Sequence, residues 1–266
     1  MPAVIARIHG TRFRHRFPWR CSMTYPGGKN GAGVAQRIIN QMPPHRTFIE
    51  LCLGSGAVLR KKRPANRNIG IDRSRDALDL CLKKAASFDG TFHLIEGDAL
   101  ELLPSLGTMM GDRPFVDDPD TLIYADPPYL MNTRKGGAIY DFEMTDADHI
   151  RLLELLRRAP SMVMISGYRS ALYDDALSHF RRIDYQAQTR QGPVEECLWM
   201  SFPEPRELHD YRFLGDDFRA RDRIKKKRRR WAARLAKMDR LERLAITDEL
   251  LNGDHTRAPP AGGSGA

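Results

Sequence analysis

The tetrapeptide Asp126-Pro127-Pro128-Tyr129 restricts this chain more than any other stretch. It follows Thr121-Leu122-Ile123-Tyr124-Ala125, an apolar run of the length of one buried strand. In an open α/β sheet, ligands bind outside the carboxyl ends of the strands, so the tetrapeptide would face a substrate there. Two successive prolines fix φ twice and remove two backbone donors. What remains is a stiff turn offering acceptors, the Asp126 carboxylate and the Pro127 carbonyl, beside the Tyr129 ring. Such a turn suits a planar group that donates hydrogen bonds, for example the exocyclic amine of a nucleobase. An acidic strand end followed by a plain proline corner fits the four residues equally well.

Upstream, the pattern repeats strand, acid and helix. Thr47 to Cys52 reads as a first strand running into Gly54-Ser55-Gly56 and a helix, the corner where absent side chains let a nucleotide approach the backbone. The third small residue of a dinucleotide fingerprint is replaced by Leu59, which argues against a nicotinamide enzyme. A second strand, Asn68 to Ile71, ends in Asp72, and a third, Thr91 to Ile95, closes on Glu96-Gly97-Asp98. Three strand ends in a row carrying Glu50 and Gly54, Asp72, and Asp98 point to one shared ligand. Before them, Tyr25-Pro26-Gly27-Gly28-Lys29 is a glycine turn leading into a helix over Ala32 to Gln41, a plausible carboxylate or phosphate site.

Downstream, Pro104 to Asp120 reads as a loop and Leu130 to Met144, with Arg134-Lys135-Gly136-Gly137, as a mobile lid. Thr145 to Arg158 is a helix capped by Thr145, and Ser74 caps another to Ser87. Ser161 to Ile165 is a fifth strand, and Arg181 to Tyr185 with Glu196 to Phe202 an antiparallel pair. These units predict an α/β fold with a mostly parallel sheet of about seven strands, one of them reversed.

Charge divides the chain. From Arg219 to Arg240 there are 12 Lys/Arg against 2 Asp, a net +10, so the rest of this +9 chain is close to −1. Phe218 to Ala245 reads as one helix whose cluster Lys225, Lys226, Lys227, Arg228, Arg229 and Arg230 would meet a polyanion, nucleic acid before membrane. The domain organisation is therefore a basic, disordered extension over 1–22, with Met23 a candidate start, a folded domain over 23–205, a basic helical appendage over 206–252 and a disordered tail over 253–266. Four scattered cysteines without a CxxC pair indicate neither a metal site nor a disulfide framework and suit a cytoplasmic protein. No apolar run approaches the roughly 18 residues of a membrane span.

Taken in order, Tyr25-Pro-Gly-Gly-Lys29, Phe48-Ile-Glu-Leu-Cys-Leu-Gly-Ser-Gly-Ala-Val58, Asp72, Asp98 and Asp126-Pro-Pro-Tyr129 resemble the DNA adenine methylase family of Dam-like motif order. Tyr140 to His149, Ser166-Gly-Tyr168 and Glu196-Cys-Leu-Trp199 are also similar to its pattern. The resemblance implies a class I S-adenosylmethionine-dependent methyltransferase fold acting on the N6 amine of adenine in DNA. Glu50, Gly54 and Gly56, with Tyr25, Gly28 and Lys29, would line the methionine part of the cofactor. Asp72 would take the ribose hydroxyls and Asp98 the cofactor's adenine amine. Asp126 and the Pro127 carbonyl would hold the target amine, with Pro128 stiffening the turn, Tyr129 stacked on the base, and Arg134, Lys135 and the Lys225 to Arg230 cluster on phosphates. RNA adenine-N6 and cytosine-N4 methylation remain open, as does an inactive nucleic-acid-binding protein. Two departures stand out: Cys52 replaces an aromatic, and only 27 residues separate Asp98 from Asp126, too few for a recognition insert.

Overall fold

The computed structural model describes residues 4–8, 27–31, 33–85, 88–134, 137–189 and 192–252, of which 4–8 and 189 as backbone only. Eight strands form one sheet: β1 (Val4–Ile8), β2 (Thr47–Leu51), β3 (Arg67–Asp72), β4 (Phe92–Glu96), β5 (Thr121–Ala125), β6 (Met162–Gly167), β7 (Arg181–Thr189) and β8 (Gly192–Met200). Their spatial order is β1-β4-β3-β2-β5-β6-β8-β7. β2 to β6 run parallel to one another, while β8 lies antiparallel to both β6 and β7. From β4 to β7 this is the strand order and polarity of the class I methyltransferase fold. The chain builds outward from β2 to β3 and β4, then returns to place β5 on the other side of β2. That reversal makes the β2/β5 boundary the switch point of the sheet.

The period of two along each strand feeds two cores. Odd positions such as Ile49, Leu51, Ile123 and Val163 pack under Leu152, Leu153 and Leu156 of α6 (Asp146–Arg157). Even positions such as Phe48, Leu122, Tyr124 and Met164 meet α1 (Val34–Ile39), α2 (Ala57–Lys61) and α3 (Arg75–Lys84) on the other face. Burial on both faces explains the near-continuous apolar reading of these strands. The expected caps are present. The Ser74 hydroxyl accepts from Ala77 N, and Thr145 forms a reciprocal capping box with Asp148.

Three expectations for this unit are corrected. Val4–Ile8 is an edge strand paired antiparallel with β4, not a structureless start. The remainder of 1–22, like the 253–266 tail and the candidate start Met23, lies outside the described residues. The stretch from Pro104 on is no open loop, since α4 (Ala99–Leu102), α5 (Leu106–Met109) and flanking 3-10 turns bury Leu102, Leu103, Leu106 and Phe115 in the first core. The folded unit extends to Leu214 rather than ending at Pro205. Buried Asp210 accepts from Arg63 N at 2.8 Å and pairs with Arg212, His209 stacks on His45 at 3.8 Å, and Asn40 donates to Phe213 O. A short helix α7 (Ala171–Ala176), started by Ser170, completes this unit.

The second unit begins at Gly215. It holds two helices where one was expected, α8 (Phe218–Ala236) and α9 (Arg240–Asn252). The break falls where Asp239 turns its carboxylate onto Leu241 N and Glu242 N, a local start signal stronger than the continuing periodicity. Among the described residues, no helix is long and apolar enough to cross a membrane.

The boundary is testable. Ending the chain after Leu214 should leave the first unit's melting temperature within about 2 °C of the full chain. Ending it after Pro205 strips the partners of Arg63 and His45 and should cost about 3 kcal/mol, or roughly 6–12 °C in a thermal melt.

Candidate active site

The carboxyl ends of β2 to β5 come level because their registers match, Leu51 beside both Ile71 and Ala125, and Asp72 beside Glu96. At this edge lies a cleft of about 710 Å³, open mouth included. Asp72, Asp98 and Asp126 line it together with Cys52, Leu100 and Phe142.

The corner after β2 is built from left-handed backbone. Gly54 (φ 53°) and Gly56 (φ 62°) adopt it at no steric cost, and Cys52 (φ 54°) shares it with a side chain. Gly54 turns its N–H onto Asp72 Oδ2 at 2.7 Å, while Ser74 N donates to Oδ1 at 2.8 Å. Burial pushes the Asp72 carboxyl up and these backbone donors work against it. At Gly56 the constraint is packing, since a Cβ would sit 2.5 Å from Cys81 Sγ of α3. Glu50 accepts from Leu59 N at 2.6 Å, and burial lifts its carboxyl to about 8, so it is largely protonated at neutral pH. Asp98 caps α4 through Leu100 N.

The second cluster was only partly foreseen. Lys29 is buried, and its ammonium lies 2.8 Å from Asp126 Oδ1, 3.5 Å from Glu196 Oε2 and 2.6 Å from the Tyr129 hydroxyl. Burial alone would lower the lysine pKa, but Asp126 and Glu196 outweigh it, so the net direction is up. Burial likewise raises Asp126, and Lys29 is the chief group holding it down. The sequence placed Lys29 with the cofactor; the structure brings it into the Asp126 cluster, while its neighbour Asn30 ties the same turn to Ser55 of the glycine corner. Glu196 and Tyr185, whose hydroxyl donates to Glu196 at 3.0 Å, carried no role in the sequence. Tyr168 meets the Tyr129 ring edge-on at 4.6 Å.

The 130–144 segment, expected to be a mobile lid with Arg134 on phosphates, is strapped down instead over its described residues, 130–134 and 137–144. Arg134 donates to Tyr129 O and makes a two-pronged pair with Glu143 at 2.9 and 2.6 Å. Its side chain is 7% exposed, so Arg134 is withdrawn as a phosphate contact. Glu143 also accepts from Ile139 N and Tyr140 N. Tyr140 in turn lies over Gly27, where a Cβ would overlap its hydroxyl, so Gly27 rather than the exposed Gly28 is the constrained glycine of that turn. Tyr25 and Lys135 lie outside the described residues, and Lys225 to Arg230 lie on α8 of the second unit.

No protein-family model matches the chain. It is 31% identical over 126 residues to the release factor glutamine methyltransferase of Mycobacterium leprae (strain TN), covering 46% of this chain. The chain spans only 40% of that relative. Solved structures similar to it include an S-adenosylmethionine-dependent methyltransferase from Anabaena variabilis, 13% identical with a TM-score of 0.38 over 60% of this chain and 76% of the other. A second is TrmK of M. capricolum with S-adenosyl-homocysteine, 10% identical with a TM-score of 0.41 over 82% and 93%. At these scores the fold assignment rests on the strand order.

The strap should respond to acid. Hydrogen bonds from Arg134, with burial opposing, hold the Glu143 carboxyl near 2, below the ordinary 4.5. Its stabilising contribution is therefore complete above about pH 4.5 and lost as pH falls through about 2. Amide exchange at Ile139 and Tyr140 should be protected at pH 5 and released in that window, and Glu143→Ala, which removes the acceptor, should release both amides at every pH.

Proposed function

We propose that the chain is an S-adenosylmethionine-dependent methyltransferase that modifies the N6 amine of adenine in DNA, taken out of the stack into the cleft at Asp126-Pro127-Pro128-Tyr129. The observation that carries this reading is an acceptor site built for an amine: an Asp126 carboxylate paired with the Lys29 ammonium at a sheet switch point, beside the paired rings of Tyr129 and Tyr168.

The residues present fit the cofactor. Asp72, fixed by two backbone donors at the tip of β3, offers acceptors for ribose hydroxyls, and Asp98 with the apolar wall of Ile71, Leu100 and Leu152 forms a slot for a purine. When bound, the cofactor supplies an electrophilic methyl group on a sulfonium.

Everything else is work for the protein. An aromatic amine is a weak nucleophile because its lone pair is delocalised into the ring. Asp126 and the Pro127 carbonyl draw its two hydrogens out of the ring plane and aim the lone pair at the methyl. With the cofactor bound, the amine nitrogen would take the methyl as the carbon–sulfur electron pair stays with sulfur, and the amine would then give up its proton to solvent. Catalysis is thus positioning and electrostatic complementarity without a covalent enzyme intermediate. Extracting a base costs a few kcal/mol, which stacking worth about 1 to 3 kcal/mol on Tyr129 partly offsets.

The basic α8 favours a polyanion as substrate, with RNA adenine and DNA cytosine-N4 amines as close variants. A second reading has one observation behind it. The Mycobacterium leprae relative is named for glutamine, whose side-chain amide is also a planar NH2 donor. Incubation with methyl-labelled cofactor and separate DNA, RNA and protein pools, then digestion to nucleosides and amino acids, should yield N6-methyladenine from DNA. Label only in glutamine would overturn the reading.

Asp126→Ala should lower transfer at least about 100-fold, the effect of removing one preorganised polar group, while calorimetric affinity for the cofactor stays unchanged. Replacing Lys225 to Arg230 by glutamine should flatten the dependence of log DNA affinity on log salt, by up to about 0.9 for each phosphate that is no longer neutralised. An unaltered slope would make α8 a merely solvated helix.

A further inference from the structure

Lys29 stands between two carboxylates, and the asymmetry of its contacts says what the second one is for. Its ammonium is 2.8 Å from Asp126 and 3.5 Å from Glu196, and the Asp126 contact is made through Oδ1. Tyr129 OH, at 3.4 Å, also points to Oδ1. Among the described residues, Oδ2 of Asp126 takes no hydrogen bond, and Asp126 lines the cleft. Glu196 is itself fixed, buried on β8 with Oε2 accepting from Tyr185 OH across the hairpin. An ammonium with one buried carboxylate as its sole counter-charge would settle across both oxygens. A second, immobile carboxylate draws it to one side.

We propose that Glu196, anchored by Tyr185, is a positioning residue that holds Lys29 off-centre on Asp126, committing Oδ1 to the ammonium and reserving Oδ2 for the target amine. This rests on the reading of Asp126 as the amine acceptor. It gives the hairpin β7–β8, otherwise a structural edge of the sheet, a share in the reaction through the Lys29 contact. It also explains why a site already carrying one buried carboxylate holds another: the second divides the charge of the lysine instead of binding substrate.

Glu196→Gln tests this through two effects of opposite sign. The groups facing Asp126 are Lys29 from the turn, Glu50 and Cys52 from β2 and its corner, Tyr124 and Tyr129 from β5 and its turn, Tyr140 from the strap, Tyr173 from α7, and Tyr185 and Glu196 from the hairpin. Of these, Glu196 raises the Asp126 carboxyl by like charge, and Lys29 lowers it. Removing the Glu196 charge therefore lets Asp126 ionise at lower pH, and the acid limb of kcat/KM should move down. At the same time Lys29, released to span Asp126, should compete with the substrate amine and raise KM about tenfold, the size of one charge-assisted hydrogen bond. Glu196→Asp should recover part of the KM loss, and Tyr185→Phe should show a smaller form of it.

A carboxyl whose only role is structural would lower the melting temperature and leave KM unmoved. The Asp126 carboxyl resonance, titrated by carbon-13 NMR in the free protein, separates this inference from the substrate assignment. Wild-type protein inactive on DNA would overturn the substrate reading alone, whereas an Asp126 midpoint that stays put or rises in Glu196→Gln would overturn the role of Glu196. A lowered midpoint with unchanged KM would also overturn it, since the reserved oxygen would then not matter.

Discussion

An ammonium group taken out of water needs its counter-charges inside the fold, and Lys29 draws them from Asp126 and Glu196, which lie far apart in sequence. The three groups belong to the turn before α1, the end of β5 and the reversed strand β8. Losing one member of a buried pair strands the other, at a typical cost of about 3–5 kcal/mol. Because of this the turn, the switch point and the hairpin hold one another in place, and the geometry at Asp126 is a tertiary property rather than a property of its tetrapeptide. Asn30 extends the same turn to Ser55, so a single short segment braces both corners of the cleft.

The sheet edge concentrates acids, and like charges in a partly dry site would force protons onto some of them. Each is handled differently. Glu50, deep in β2 with a single backbone donor, keeps its proton to about 8. Asp72 spreads its charge over the backbone N–H groups of Gly54 and Ser74. Asp98 sits at the positive end of α4, half a cap and half a cleft wall. Asp126 is matched with a buried full opposite charge at 2.8 Å, whereas the Arg73–Asp98 pair is longer, at 3.7 Å, and partly exposed. That suits the one acid proposed to face a reacting amine, because an acceptor that took up a proton would present a donor to another donor. The carboxyl environments thus divide the edge into a neutral support, two anchored acceptors and one charge-balanced acceptor.

The strands, the acids at their tips and the Asp126 turn were legible because their signals are local: an apolar run, a glycine or proline corner, an acid at a fixed offset. Ser74 and Thr145 caps were readable for the same reason. What escaped was non-local. Glu196 follows Glu195 in the hairpin, and in sequence the pair gives no sign that one faces solvent while the other closes on Lys29 across the sheet. Arg134 in a glycine-rich basic stretch looks like a phosphate contact until Glu143, nine residues on, is seen to hold it. Residues 206–214 follow prolines and carry charge, so they read as part of the basic appendage, although the buried Asp210 makes them part of the first unit. The break between α8 and α9 was different: Asp239 followed by Leu241 and Glu242 is a legible cap, overridden by an apolar stripe that continued in register across it.

The residues between Asp98 and Asp126 bear most directly on how a target could be chosen. They are too few for a recognition domain, and the structure shows that they are also already employed, with Leu102, Leu103, Leu106 and Phe115 filling the core beneath β4 and β5. An insert with exposed loops could be lost without disturbing a sheet; this segment could not. The strap over 130–144 is similarly committed, its arginine turned inward onto Tyr129 O and Glu143. On the proposed reading, discrimination among sequences then falls to the outer side chains of the strap, such as Ile139 at 54% exposure, and to the cations of the second unit. Cations on a helix contact phosphates, which fix register and add affinity without reading bases. On the proposed reading, the choice of amine is made in the cleft by Asp126, and the cations of the second unit add affinity with little selectivity.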